Sequence, residues 1–167
     1  MNTNNEEKFK IFLEITKSLN KRFNIIPVLY GSLGLSRVIE KDIVVNDIDI
    51  LVPNGFIKNR WKDLFELMVN SGFELKNERE HEFVRKSHVV AFATDNDLTE
   101  KSGEKPENLE ISTEGHVKFK QLTPELYFNV YQSVLTDGYR QEKRGSADKD
   151  KIEMIKEYLA AKNKRNL

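Results

Sequence analysis

Cysteine is absent from the 167-residue chain, which excludes a disulfide framework, a thiolate metal site and a cysteine nucleophile. Net charge is absent too, because 27 Lys+Arg balance 27 Asp+Glu. A domain that tracks phosphate backbones usually carries a clear basic excess, so nucleic acid is not the expected partner. No apolar run approaches the ~18 residues of a membrane span. The start, Met1 to Lys8, is polar and acidic and lacks the apolar core of a signal peptide. A cytoplasmic protein with no membrane partner is the expectation. The chain has only three histidines, His81, His88 and His116, and none pairs at the i, i+4 spacing of a helical metal site. What remains is a chain that is 38% hydrophobic, with the length of one domain able to bury roughly 70% of its unfolded surface. A single domain over 1–167 is expected.

Hydrophobic periodicity assigns most of the elements. A first helix is expected from Asn4 or Asn5 to about Arg22, and the run Ile25 to Tyr30 reads as a buried strand. Pro27 places that strand at an edge or starts its paired part late. Gly31-Ser32 breaks the strand, Leu33 to Ile39 fits a short helix, and Glu40 to Asn46 a loop or short strand. Asp47 to Val52 is a strand stopped by Pro53-Asn54-Gly55, and a helix follows from about Lys58 to Ser71, with Gly72 at its C-cap. Glu82 to Lys86 and His88 to Thr94 read as strands, Asp95 to Asn108 as a mobile loop, and Leu109 to Ile111 and His116 to Phe119 as two more strands. Thr123-Pro124-Glu125 starts a helix that Gly138 ends, and a last helix begins near Ala147 or Asp148. The order implies a mixed α/β (α+β) domain: a short mixed β-sheet packed by helices, with helices at the C-terminus.

The chemistry concentrates between Leu29 and Val52, LYGSLGLSRVIEKDIVVNDIDILV. Asp47 and Asp49 are two apart in a strand, so both carboxylates project from one face while Ile48 and Ile50 enter the core. Two adjacent carboxylates repel unless a cation sits between them. Mg2+ suits, because it takes one or two carboxylates together with substrate phosphates. Upstream, Gly31 lets backbone N–H groups approach a phosphate and Ser32 adds a hydroxyl donor, with the start of a helix behind them. These parts describe a site for a nucleoside triphosphate and one or two metal ions.

A strand ending in Gly-Ser, a short helix, and Asp-hydrophobic-Asp-hydrophobic on the next strand resembles the nucleotidyltransferase superfamily of DNA polymerase β. The nearest likeness is to small aminoglycoside and lincosamide nucleotidyltransferase-like proteins. It covers residues 29 to 52, and a weaker likeness extends to YRQEKRGSADKDKI before the final helix. The resemblance implies metal-dependent transfer of a nucleoside monophosphate from a triphosphate to a small-molecule hydroxyl. Gly31 and Ser32 would hold phosphate, and Asp47 and Asp49 would bind metal. It further implies a third carboxylate on a later central strand, serving as metal ligand and base. The strand His88 to Thr94 offers only Ala91 at the matching position. Asp95 just beyond it is therefore the first substitute as a catalytic residue, followed by Asp97, Glu82 and Glu110.

Two readings stay open from sequence. One is the transfer enzyme, and the other is a catalytically degenerate relative that acts as a nucleotide-binding or regulatory partner. The tail from Arg140 to Leu167 carries nine basic against five acidic residues, and Lys143, Arg144, Lys149 and Lys151 would meet a triphosphate or an anionic acceptor. The length leaves little room for a second substrate domain, so a cleft completed by a second copy, in a homodimer, is a further expectation.

Overall fold

The computed structural model describes residues 1–136 and 138–167, with the side chains of 138–144 outside that description. The chain opens with α1 (Thr3–Phe23), β1 (Val28–Tyr30), α2 (Gly31–Val38) and β2 (Asp47–Val52). Two short helices follow, α3 (Asn54–Asn59) and α4 (Trp61–Asn70), then the meander β3 (Glu74–Asn77), β4 (Glu82–Arg85) and β5 (His88–Thr94). After α5 (Asn96–Ser102) and a 3-10 turn at Pro106–Asn108 comes the hairpin β6 (Glu110–Glu114) and β7 (Val117–Gln121). The helices α6 (Pro124–Val134) and α7 (Gly138–Arg165) close the chain. The seven strands form one mixed sheet in the order β3-β4-β5-β2-β1-β7-β6. β2 runs parallel to β5 and antiparallel to β1.

The expected mixed architecture is present, and several local expectations are corrected. Of the two expectations for Pro27 the late start holds and the edge does not: β1 lies inside the sheet between β2 and β7, and its paired stretch starts at Val28. The helix expected from Lys58 is two helices, because Arg60 leaves helical geometry at φ −131°. Arg60 then caps α4 through its backbone carbonyl and holds Asp63 by its side chain at 2.7 Å. The stretch read as a mobile loop contains α5, which buries Leu98 and ends on Gly103 in left-handed geometry. An Asp97–Lys101 pair one turn apart supports it. Gly138 opens α7 rather than ending α6, so the last helix starts well before Ala147; Asp137, the expected end of α6, lies outside the described residues. Strand β3 escaped the sequence because all four residues are exposed and carry no alternation.

Two apolar clusters lie on opposite faces of the sheet. The first joins α1, α3 and α4 to Ile48, Ile50 and Val52 of β2, Phe83 of β4, and Val90 and Phe92 of β5. Burying each such side chain contributes roughly 1.5–3 kcal/mol. The second joins Leu51 and Val28 to α5, α6 and α7. On this second face the floor over β5 is small, with Ala91 partly covered and Ala93 exposed. An open cleft remains there.

One close approach ties α6 to β1. The Tyr127 hydroxyl, fully buried, donates to the Leu29 carbonyl at 3.2 Å. It passes directly over Gly34 of α2, where any Cβ would overlap that hydroxyl and press on the Leu29 carbonyl. We predict that Gly34→Ala lowers unfolding stability by about 1–3 kcal/mol, as overpacking does. Urea unfolding measures it, and an unchanged midpoint would show that α2 and α6 separate without cost.

Candidate active site

The cleft encloses about 1350 Å³ and is lined by residues of β1, α2, β2, β4, β5, α5, α6 and α7. Its floor is set by register. Tyr30 pairs with Asp49, Asp49 with Ala91, and Ala91 with Glu82, so these four residues form one row across four strands. Residues paired across neighbouring strands share a face. Asp47 lies two residues away from Asp49 along β2 and is likewise half-buried on the cleft side, while Ile48 and Ile50 are fully buried behind it.

Gly31 follows Tyr30 directly and adopts φ +65°, a conformation that favours glycine. The Asp49 carboxylate occupies the space a Cβ on Gly31 would fill. The turn and the acid are therefore packed against each other. Gly31 and Ser32 begin α2, whose N-terminus receives no side-chain cap, so its first N–H groups have no protein acceptor of that kind. Gly31, Ser32, Asp47 and Asp49 all line the cleft. Among the described residues no group of three or more His, Cys, Asp or Glu is arranged to hold a metal. The donor set is two carboxylates on one strand face beside an open helix start. That set fits Mg2+ shared with phosphates, and not a cage made by protein alone.

Asp95 is elsewhere. It lies four residues beyond Ala91, roughly 13 Å along the strand, and does not line the cleft. Its amide donates to the Val52 carbonyl at 2.9 Å. Burial raises its pKa, and the Asn54 N–H and the Lys120 charge offset this only in part. Of the other substitutes, Asp97 and Glu82 line the cleft and Glu110 does not. Asp97 is held by Lys101 at 2.8 Å.

Tyr30 was missed by the sequence reading. Its hydroxyl is buried, with the Asp97 carboxylate beside it. Burial, then the Asp97 carboxylate, Tyr131 and Asp49, push its pKa far above the ordinary phenol value. It stays neutral. The signal was available, since Tyr30 immediately precedes Gly31 and shares the parity of the strand face. From the basic tail, Lys151 lines the cleft, 9% exposed, with its ammonium 5.3 Å from the Tyr131 ring centroid. Lys149 is exposed and outside the cleft lining, and the side chains of Lys143 and Arg144 lie outside the described residues.

No protein-family profile matches the chain. The chain is 35% identical over 148 residues to the uncharacterized protein YnaI of Bacillus subtilis (strain 168), covering 89% of this chain and 95% of that protein. Among solved structures, an antigenic nucleotidyltransferase-like protein from Paracoccidioides brasiliensis superposes with a TM-score of 0.60 at 14% identity, over 90% of this chain and 75% of that one. ANT(2")-Ia in complex with adenylyl-2"-tobramycin superposes with a TM-score of 0.54 at 10% identity, over 97% of this chain and 99% of that one. The fold is nucleotidyltransferase-like. No helix of the described residues is long and apolar enough to cross a membrane.

The raised pKa of Asp95 makes a prediction with a definite sign. A folded-state carboxyl pKa above the unfolded value means that deprotonation opposes folding. Asp95→Asn, which keeps an acceptor for the Asn54 N–H, should therefore be more stable than the parent at pH 7. The advantage should disappear below the ordinary aspartate pKa, where both proteins carry a neutral group. Urea unfolding at pH 7 and pH 3 measures this, and an Asp95→Asn protein less stable at pH 7 would contradict it.

Proposed function

The chain belongs to the family of Bacillus subtilis YnaI, and on that premise we propose that it is a metal-dependent nucleotidyltransferase acting on a small-molecule hydroxyl. One observation carries the reading: the Asp49 carboxylate packs onto Gly31 at the uncapped start of α2, with Asp47 beside it on the same strand face. This juxtaposes the two things a nucleoside triphosphate needs, amide donors for its phosphates and carboxylates for its metal. The adduct named in the ANT(2")-Ia structure, adenylyl-2"-tobramycin, is the kind of product such a cleft would release. In the cytoplasm the nucleoside triphosphate is the natural donor.

In this reading Gly31 and Ser32 receive the terminal phosphates and Lys151 closes on them from α7. Asp47 and Asp49 would hold Mg2+, which when bound neutralises the phosphoryl oxygens and polarises the α-phosphorus. The Tyr30 hydroxyl, neutral and buried at the cleft floor, offers one hydrogen bond to the bound nucleotide. Removing water from the cleft strengthens each of these contacts. A second reading, a nucleotide-binding regulatory protein without catalysis, is favoured by one feature: the residue paired with Asp49 on β5 is Ala91.

Calorimetric titration of ATP, GTP, CTP and UTP with Mg2+ tests the site without an acceptor. The parent protein should bind at least one triphosphate only when Mg2+ is present. An Asp47→Ala, Asp49→Ala variant that melts like the parent should bind more than about 10-fold more weakly, having lost both charged contacts. Absence of heat with all four triphosphates would overturn the reading. Pyrophosphate release with tobramycin as acceptor probe then separates the transferase from the regulatory reading.

A further inference from the structure

Transfer to a hydroxyl requires a group that takes the hydroxyl proton, and Asp47 and Asp49 are committed to the metal in the reading above. The cleft holds few other candidates. Asp97 is engaged by Lys101 at 2.8 Å. Asp42 accepts from the Asn2 amide at 2.7 Å and faces the N-terminus. His81 packs against Trp61, and Glu80 and Asp150 are exposed on the rim. Glu82 differs from all of these by its place in the sheet.

The row Asp49–Ala91–Glu82 crosses three adjacent strands, β2, β5 and β4. Two interstrand spacings put the Asp49 and Glu82 backbones about 10 Å apart. Ala91 between them has only a methyl group, so the space above it is open to the cleft, which all three residues line. A glutamate is one methylene longer than an aspartate, and the small Ala91 leaves it room to swing inward. The Glu82 side chain is 21% exposed, and its one ion pair among the described residues is from Oε2 to Lys76 at 3.6 Å on the outer strand. The tether lies on the side away from Asp49, since β3 is the edge strand beyond β4. Glu82 lines the cleft all the same.

We infer that Glu82 is the general base of the transfer, receiving the acceptor proton across Ala91 from the metal-binding carboxylates. This rests on the nucleotidyl-transfer reading and assigns the acceptor side of the cleft to β4 and β5. The acceptor oxygen forms a bond to the α-phosphorus as its proton passes to Glu82. The bond from the α-phosphorus to the bridging oxygen breaks, and pyrophosphate leaves with that electron pair. The protonated Glu82 returns its proton to solvent. Placing the carboxylate on β4 explains how the cleft keeps an acid while β5 carries alanine.

Glu82→Gln keeps size and polarity but removes the base. On the full chain it should bind Mg2+ and triphosphate as the parent does, while pyrophosphate release with water or glycerol as acceptor falls about 10²–10⁴-fold. The acidic limb of the parent's pH–rate profile should disappear with it, a change that a merely structural role for Glu82 would not produce. Ala91→Asp in the Glu82→Gln background should restore part of the rate, because it returns a carboxylate to the same row. Equal turnover in parent and Glu82→Gln, or a parent that binds nucleotide and turns over neither acceptor, would overturn this inference while leaving the nucleotide site standing. A parent that binds no triphosphate removes the transfer reading itself.

Discussion

Everything in the cleft depends on the register of β2. The segment DIDILV alternates so that Ile48, Ile50 and Val52 fill the cluster under α1 and α4, while Asp47 and Asp49 face the opening. A one-residue slip would drive two carboxylates into an apolar core and expose the isoleucines. Burying an unpaired carboxylate costs several kcal/mol at least, so the register is held by the acids as well as by the apolar residues. The same register fixes the neighbours. It brings Tyr30 beside Asp49 on one side and Ala91, then Glu82, on the other.

The second constraint is the unequal covering of the two faces. Helices α1, α3 and α4 cover one face, and its aromatic residues interlock there, with Phe12 and Phe119 edge-to-face at 5.3 Å. On the other face α5, α6 and α7 pack over Val28 and Leu51, and the small floor of β5 is left open. A cleft between a sheet and a set of helices that covers it in part is a common place for a ligand. Its acids lie on the sheet, and Lys151 enters from the helical wall. Opposite charge thus comes from separate elements, and a polyanion with its metal would bridge them.

The sequence displayed the centre of the site more clearly than its edges. Asp47, Asp49, Gly31 and Ser32 stood out because strand parity and a strand-ending glycine are local properties. Asp97 and Lys151 were named in sequence only among several alternatives, and packing between distant segments singles them out at the cleft, while Tyr30 was passed over although it adjoins Gly31. Asp95 looked suitable because it is near Ala91 in sequence, but strand rise carries it away from the cleft. Glu82 ranked behind it because the antiparallel return of β4, which puts Glu82 opposite Ala91, depends on a turn of mixed polar residues. In the fold, α1, β2, β5 and the Thr123–Pro124 start of α6 followed from periodicity and capping. The polar edge strand β3 and the charged first half of α7 did not, since neither has an apolar stripe.

The central claim is that metal and phosphate meet between β2 and the start of α2. Paramagnetic Mn2+ added with a non-hydrolysable ATP, followed through backbone amide resonances, tests it most directly. The account predicts strong broadening at Tyr30, Gly31, Ser32 and Asp47 to Asp49, little at Asp95, and no such pattern with Mn2+ alone. Broadening centred on another part of the surface, or none at these residues when nucleotide is bound, would contradict it.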